Sequence, residues 1–447
     1  MYRSEQGSRY LYMEVYEHYR GLILSEVLKS GDRMPSLRKA SAELSRSRTT
    51  VESAYFQLAA DGYIVARSRS GYYVTDIASA RKSKEVSGRE MPPGRETAHG
   101  SKPRYDFASS GVDRESFRFD LWQRYIKSAL RQDERLLSYG EPQGEADFRE
   151  ALSAYVRDRR NILCSPDQIV VGAGVQTLLH LLCPLLKERH TVSFPTSSFV
   201  HGAAVFRDHG FDVHYRDKDA DIIYVSPAHM NRLGDIMPVK RRMELIRYAS
   251  STGSVIIEDD YENEFVYLQK PTPSLYGLSR EDNVVYIGSF SRLLLPSIRI
   301  SFMILPFPLL EEYQKTAANY NQTASKAEQI ALAQFIRDGH LTAQIRRLRR
   351  LYAAKQQHLS EAAVQIFGSG CRVRNAPSGT MVTVSVPCKK GSGEIVPEDI
   401  VKRAIDAGLR ILPPECLDDT LKFTLSCSSI PEEDFMPALL LLKEASE

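Results

Sequence analysis

Between Val284 and Pro306 the chain reads Val-Val-Tyr-Ile-Gly-Ser-Phe-Ser-Arg-Leu-Leu-Leu-Pro-Ser-Ile-Arg-Ile-Ser-Phe-Met-Ile-Leu-Pro, and this stretch limits the possible fold more than any other. A β-branched and aromatic run over 284–287 breaks at Gly288 into a serine-rich turn, and a second apolar run, Ile300 to Leu305, follows it. The pattern predicts strand, loop, strand. The loop carries the hydroxyls of Ser289 and Ser291 and the guanidinium groups of Arg292 and Arg299 inside otherwise apolar sequence. Charged groups in such surroundings are costly unless an anion meets them. Two arginines ion-paired beside a core strand satisfy that demand, and so does a bound anionic ligand; the rest of the chain has to decide.

A chain of 447 residues exceeds one ordinary core, so at least two domains are expected. With 43% hydrophobic and 26% charged residues, the composition is that of a globular protein. A net charge of +3 does not argue for nucleic acid, so any basic surface has to be local. Cys164, Cys183, Cys371, Cys388, Cys416 and Cys427 are scattered without CxxC spacing, which predicts free thiols in a reducing cytoplasm and no metal site. No apolar signal core and no run of 18 apolar residues is present, so a cytoplasmic protein without a membrane segment is expected.

In the first 78 residues, Leu11, Val15, Tyr19, Leu22, Ile23 and Val27 recur near a helical period and predict a helix over 11–28, ending before Gly31. Ser36 after Pro35 caps a second helix through Leu44, and Ser47 caps a third from Arg48 to about Ala60, stopped by Asp61-Gly62. Residues 63–67 and 72–75, joined by Ser68-Arg69-Ser70-Gly71, then form a hairpin with a basic tip. Three helices and a hairpin wing make a winged helix-turn-helix, whose third helix enters the DNA major groove. From 79 to 104 the sequence is polar, of mixed charge and rich in Ser, Pro and Gly, which predicts a flexible linker.

From 105 to 447 helical and strand-like runs alternate, predicting an α/β domain with a mainly parallel sheet. Strand Ile169-Val170-Val171 leads through Gly172-Ala173-Gly174 to a helix beginning Val175-Gln176, an arrangement suited to cradling phosphate. Strand Val255-Ile256-Ile257 delivers Glu258-Asp259-Asp260-Tyr261 at its carboxyl end, where open α/β sheets bind ligands. Further on, Arg346, Arg347, Arg349 and Arg350 crowd one helix, most simply as a solvated face.

The first 78 residues resemble the GntR-type DNA-binding domain, through Pro35-Ser36-Leu37-Arg38, Ser47-Arg48-Thr49-Thr50-Val51 and the Gly62 to Val74 wing. That resemblance implies double-stranded DNA as partner, with Arg38, Ser47, Arg48, Thr49, Thr50 and Arg69 facing it and Gly71 letting the wing approach a phosphate. Gly288 to Arg299, Tyr139-Gly140-Glu141-Pro142-Gln143-Gly144 and Ser226-Pro227-Ala228-His229 resemble the fold type I aminotransferase-like domain of MocR/GabR-type regulators. This implies a smaller C-terminal α+β subdomain, a homodimer and a site for pyridoxal phosphate. Gly174, Val175, Gln176, Ser289, Ser291 and Arg299 would then serve the phosphate, Asp259 the pyridine nitrogen, Phe199 the ring face, and Tyr261 and Asn231 the phenolic oxygen. Lys422 would offer a point charge to a substrate or effector carboxylate. At the position where the family carries its Schiff-base lysine this chain has Arg292, whose guanidinium stays protonated and cannot act as an amine nucleophile.

The sequence therefore predicts a DNA-binding transcriptional regulator whose aminotransferase-like domain senses a small anionic ligand without turnover. That ligand would be pyridoxal phosphate held non-covalently, its amino-acid aldimine, or a similar anion. Two alternatives stand beside it: an active pyridoxal-phosphate enzyme with an accessory DNA-binding domain, and a ligand-free dimerisation scaffold.

Overall fold

The computed structural model describes residues 4–67, 70–76, 103–109, 111–197, 199–231, 233–267, 272–368, 370–387, 396–417 and 420–447. They fall into two units divided between Gly100 and Ser101. The expected linker, 79–104, lies almost wholly outside the described residues, as do Arg69 and Cys388.

The N-terminal unit comprises α1 (Ser4–Leu24), α2 (Leu37–Glu43), α3 (Arg48–Ala60) and a hairpin of β1 (Ile64–Arg67) and β2 (Gly71–Val74). Helix α1 ends at Leu24, short of the expected 28, and Glu26 takes a left-handed backbone at φ 57°. The two expected caps are present. Ser36 Oγ accepts from the Lys39 N–H at 3.2 Å and Ser47 Oγ from the Thr50 N–H at 3.1 Å. Gly62, at φ 78°, turns the chain out of α3, and Ile64 pairs with Val74 across the wing. Val15, Tyr19, Val51, Ala54, Tyr55 and Leu58 form the core, closed by Ile64 and Val74. Val15 and Tyr19 are helical-period positions of the sequence, whereas Val27, expected on the same face, lies beyond the end of α1 and is exposed; the shared core ties α1, α3 and the wing together.

In the second unit β3 (Tyr105–Asp106) pairs in parallel with a strand near the far end of the chain, Leu409–Arg410. The central sheet has seven strands: β4 (Ile169–Gly172), β5 (Thr191–Phe194), β6 (Asp212–Tyr215), β7 (Ile222–Val225), β8 (Val255–Asp259), β9 (Val284–Ser289) and β10 (Ser301–Ile304). Their spatial order is β4-β10-β9-β8-β7-β5-β6. All run in one direction except β10, which is antiparallel to both neighbours. Strands β4, β7 and β8 are buried throughout, as expected of a sheet covered on both faces.

The remaining strands, β11 (Arg372–Asn375), β12 (Met381–Pro387), β13 (Leu409–Arg410), β14 (Glu415–Leu417) and β15 (Thr420–Ser426), belong to the smaller lobe. Four of them form an antiparallel sheet in the order β11-β12-β15-β14. The helix His340–Phe367 joins the lobes: Leu341, Ile345, Leu348 and Tyr352 enter the large-lobe core, while Leu359, Ala362 and Ala363 enter the other. Among the described residues no helix is long and apolar enough to cross a membrane.

Candidate functional site

In the N-terminal unit, Arg38, Ser47, Arg48 and Thr49 are exposed. Arg38 and Arg48 have no ion-pair or hydrogen-bond partner among the described residues, so both guanidinium groups are free for an external anion. Arg48 opens α3, where the helix dipole adds to its charge. Ser47 is committed to its cap and lies 2.7 Å from Thr50 Oγ1 and 2.9 Å from Thr49 Oγ1, so it shapes the start of α3. Gly71 holds φ 105° at the wing, close to Arg33, a conformation that L side chains rarely adopt.

In the larger unit, the carboxyl ends of β4, β5, β7, β8 and β9 lie at one edge of the sheet, and the reversed β10 begins there. Ser301 stands opposite both Gly172 and Ser289 in the register, which brings Arg299 to the glycine turn after β4. A Cβ on Gly174 would lie 2.5 Å from Arg299 Nη2, so only glycine, at φ 95°, allows this approach. Gly174 also precedes the helix Val175–Leu182, whose first N–H groups open toward the same space. Arg299 is exposed and has no partner among the described residues. Ser289 Oγ accepts from Ser301 Oγ at 3.0 Å and is 3.4 Å from Ser291 Oγ. A guanidinium with no partner among the described residues thus lies at a helix N-terminus, with the Ser289 and Ser291 hydroxyls on the same edge of the sheet, an arrangement suited to an anion. Val175 packs its side chain into the core, and exposed Gln176 reaches the His201 carbonyl at 3.5 Å.

The acidic run after β8 separates into three roles. Glu258 accepts the N–H groups of Leu275 and Tyr276, each at 2.9 Å. Asp260 takes a buried two-point contact from Arg160, at 2.6 and 2.8 Å, and a third hydrogen bond from Tyr286. Asp259 faces neither; among the described residues its carboxylate accepts only from the Tyr224 hydroxyl, at 2.7 Å, while its carbonyl accepts from Ser226 Oγ. Burial, opposed by the Tyr224 bond and reinforced by Asp260, pushes its carboxyl up to about 6. Phe199 stacks on Tyr224 at 5.2 Å between centroids, so the ring expected to face a ligand lies one layer from Asp259.

On the other side, Tyr261 meets His229 edge-on at 5.6 Å. Burial and the charge of Glu262 raise the Tyr261 phenol. Burial lowers His229, keeping its imidazole neutral. Arg292 does not extend freely into the site. Its Nε and Nη2 both reach Glu262 Oε1, at 2.8 and 2.6 Å, Nη1 donates to the Gly111 carbonyl at 3.1 Å, and Nη2 donates to Thr380 Oγ1 at 3.3 Å. Burial would depress this guanidinium, but Glu262 more than offsets it and holds the cation firmly protonated.

Two expected residues are placed elsewhere. Asn231 spends its amide on its own turn, donating to Asp235 Oδ2 at 2.9 Å and accepting from the Leu233 N–H at 3.0 Å. Lys422 sits on β15 opposite Ser385 and Glu415 and pairs with Glu415 at 2.8 Å, because strand alternation puts it on the face away from Leu421 and Phe423. The segment near Arg292 is instead the end of β15, where the Cys427 N–H donates to the Thr380 carbonyl. Glu262 and Tyr224 were not singled out in the sequence. The tyrosine fills a buried strand position and the glutamate reads as one more acid of a solvated loop, so neither carries a local signal.

A gntR-type helix-turn-helix head and an aminotransferase-like domain define the class. The model for bacterial regulatory proteins of the gntR family matches residues 11–74, and that for aminotransferase class I and II matches residues 116–223. Among curated relatives, the HTH-type transcriptional regulator YdeL of Bacillus subtilis is 32% identical, over 97% of this chain and 96% of its own. The probable rhizopine catabolism regulatory protein MocR of Rhizobium meliloti is 29% identical, over 78% and 76%. The fold of the kynurenine aminotransferase of Pyrococcus horikoshii superposes with a TM-score of 0.65 at 19% identity, covering 83% of this chain and 97% of that one. The chain belongs to the family of HTH-type transcriptional regulators that join these two domains, and it is a DNA-binding transcriptional regulator.

Two outcomes follow from this geometry. Arg48→Ala weakens operator binding by about 1–3 kcal/mol if the side chain reads a base, as fluorescence anisotropy with labelled operator DNA would record. For Asp259 the folded-state pKa lies above the unfolded one, so the native chain binds this proton more tightly and stability falls as pH rises from the ordinary carboxylate value of 3.8 to about 6. Asp259→Asn therefore stabilises the empty domain by about 1–3 kcal/mol at pH 8 in chemical denaturation, a gain that shrinks as pH falls below about 6 and is lost only below the ordinary carboxylate value of 3.8.

Proposed function

We propose that the larger domain is the sensor of this regulator, that it holds a phosphorylated pyridine of the pyridoxal phosphate type or a similar anion without a covalent link, and that it performs no turnover. The residues fit such a group. Arg299, Ser289, Ser291 and the amides after Gly174 would hold its phosphate, Asp259 its ring nitrogen and Tyr261 its phenolic oxygen. When bound in enzymes, pyridoxal phosphate supplies an electron sink for carbon–nitrogen chemistry. Here the residues bind, orient and screen from water, and none supplies a neutral amine at the head of the site.

The observation that carries this reading is the state of Arg292. It stands where the family resemblance expects the Schiff-base lysine, and its cation is committed to Glu262, Gly111 and Thr380. A permanently protonated guanidinium can hold an anion and cannot condense with an aldehyde. The sensor reading is favoured over a bare scaffold because Arg299, exposed and with no partner among the described residues, lies against Gly174 at the start of a helix, where its charge is available to an anion.

The same domain is proposed to form the homodimer, which would match a two-fold operator. Tyr139 and Leu137 support this: they are 94% and 89% exposed beside the Gly140 to Gly144 loop, a placement that leaves two large apolar groups in water.

Purified protein mixed with pyridoxal phosphate and reduced with borohydride should show no pyridoxyl mass on residue 292, whereas Arg292→Lys should gain one. An adduct on another lysine of the wild-type protein, with measurable transamination, would defeat the non-covalent reading. Leu137→Asp/Tyr139→Asp should sediment as a monomer at micromolar concentration where the wild type is a dimer; unchanged sedimentation would place the interface elsewhere.

A further inference from the structure

The Arg292–Glu262 contact is unusual in four ways. First, both donor groups of the guanidinium edge converge on one oxygen, Glu262 Oε1, at 2.8 and 2.6 Å. The parallel arrangement, one N–H to each carboxylate oxygen, is the strong form of this pair, and it is not made. Second, Oε2 is left 3.5 Å from His229 Nδ1, a buried nitrogen with no hydrogen-bond partner. Third, the Tyr267 hydroxyl, close enough to feel the charges of both Glu262 and Arg292, is also buried without a partner. Fourth, Glu262 takes a left-handed backbone at φ 57°, a conformation that L side chains rarely adopt.

A buried pair kept only for stability would have satisfied its neighbours, because a partly satisfied polar network in low dielectric is worse than none. Instead a residue with a left-handed backbone delivers its carboxylate, which Tyr261 also contacts, to the cation through a single oxygen, with two unused hydrogen-bonding atoms, His229 Nδ1 and the Tyr267 hydroxyl, nearby. The Arg292 side chain also keeps 12% of its surface open, against 4% for Glu262, so the cation is the partner that solvent can approach.

We infer that Glu262 is an internal stand-in for the carboxylate of a small-molecule effector, and that such an effector binds by displacing Glu262 from Arg292. The ligand class is thereby a carboxylate lying at the end of the site opposite the Arg299 cradle. Displacement would lose the one-oxygen contact, while a ligand carboxylate could take the guanidinium edge two-point and offer acceptors to the Tyr267 hydroxyl. Arg292 also holds the Gly111 carbonyl, in the segment after β3, and Thr380, in the turn before β12, so exchange of its carboxylate partner would be felt in both lobes. This deepens the proposed sensor function by naming what the second end of the site takes.

The test uses the full-length protein with propionate as a minimal carboxylate and propionamide as its neutral analogue, at constant ionic strength. By calorimetric titration, Glu262→Gln should bind propionate at least tenfold more tightly than the wild type, because the competitor is gone. Arg292→Gln should abolish propionate binding alone and in combination with Glu262→Gln, and propionamide should bind none of these proteins. Glu262→Gln leaves a buried cation unpaired, so its melting temperature is the second measurement: propionate should raise it saturably and propionamide should not. Unchanged propionate affinity in Glu262→Gln, or no rise in its melting temperature, would overturn the inference and leave the pair a closed structural bridge. Pyridoxal phosphate titrated into the same proteins and into Arg299→Gln separates the two readings. Its loss in Arg299→Gln with no propionate effect anywhere overturns only the inference, and propionate binding without any pyridoxal phosphate binding overturns only the phosphate-site reading.

Discussion

The larger domain depends on one reversal. Strand β10 runs against β4 and β9 and is paired with both, so its first residues lie at the edge where its neighbours end. A chain that continued in the same direction would have carried Arg299 to the opposite edge of the sheet. The antiparallel insertion places that guanidinium against Gly174, and a glycine in a left-handed backbone accepts it where any Cβ would collide. The serines of the β9–β10 loop come to the same edge for the same reason, since Ser301 pairs with Ser289 across the ladder.

Around that edge, the fate of each charge follows from what it can reach. Asp260 is neutralised by Arg160 in a fully buried pair, and Glu258 accepts two backbone N–H groups with Arg242 3.9 Å away while burial raises its carboxyl, so both fix the loop after β8 and contribute little net stability by their Coulomb energy. Asp259, between them in sequence, has only a tyrosine hydroxyl, and burial shifts its ionisation toward neutrality. Arg292 and Glu262 sit at the other end, matched in charge and mismatched in geometry. Arg299 is left in solvent with no countercharge among the described residues. This gradient from satisfied to unsatisfied groups points to the places where a ligand would interact most favourably.

Much of the architecture was legible locally. The caps Ser36 and Ser47, the Gly62 stop, the wing, and the β-branched runs of β4, β8 and β9 are each specified by propensity and spacing within a few residues, so the order of elements could be read directly. The pairing of α1 with α3 follows from one helical-period face. Helix α1 ended early because its stop at Leu24 precedes a left-handed Glu26, which no composition rule marks.

By itself, the sequence determined the gntR-type head and the aminotransferase-like domain, Arg48 at the start of the third helix, and the presence at position 292 of a group that cannot act as an amine. Those conclusions rest on residue identity and short-range period. Only the tertiary structure decided which carboxylate meets which cation: Asp259, Asp260 and Glu262 differ little as letters and are separated by their partners at positions 224, 160 and 292. It also turned Asn231 into its own loop and Lys422 to the outer face of its strand, because a local turn and a one-residue alternation direct these side chains. The partner of a buried charge is fixed by contacts distant in sequence, through a low dielectric that makes every unmatched group costly, and no local pattern along the chain records that information.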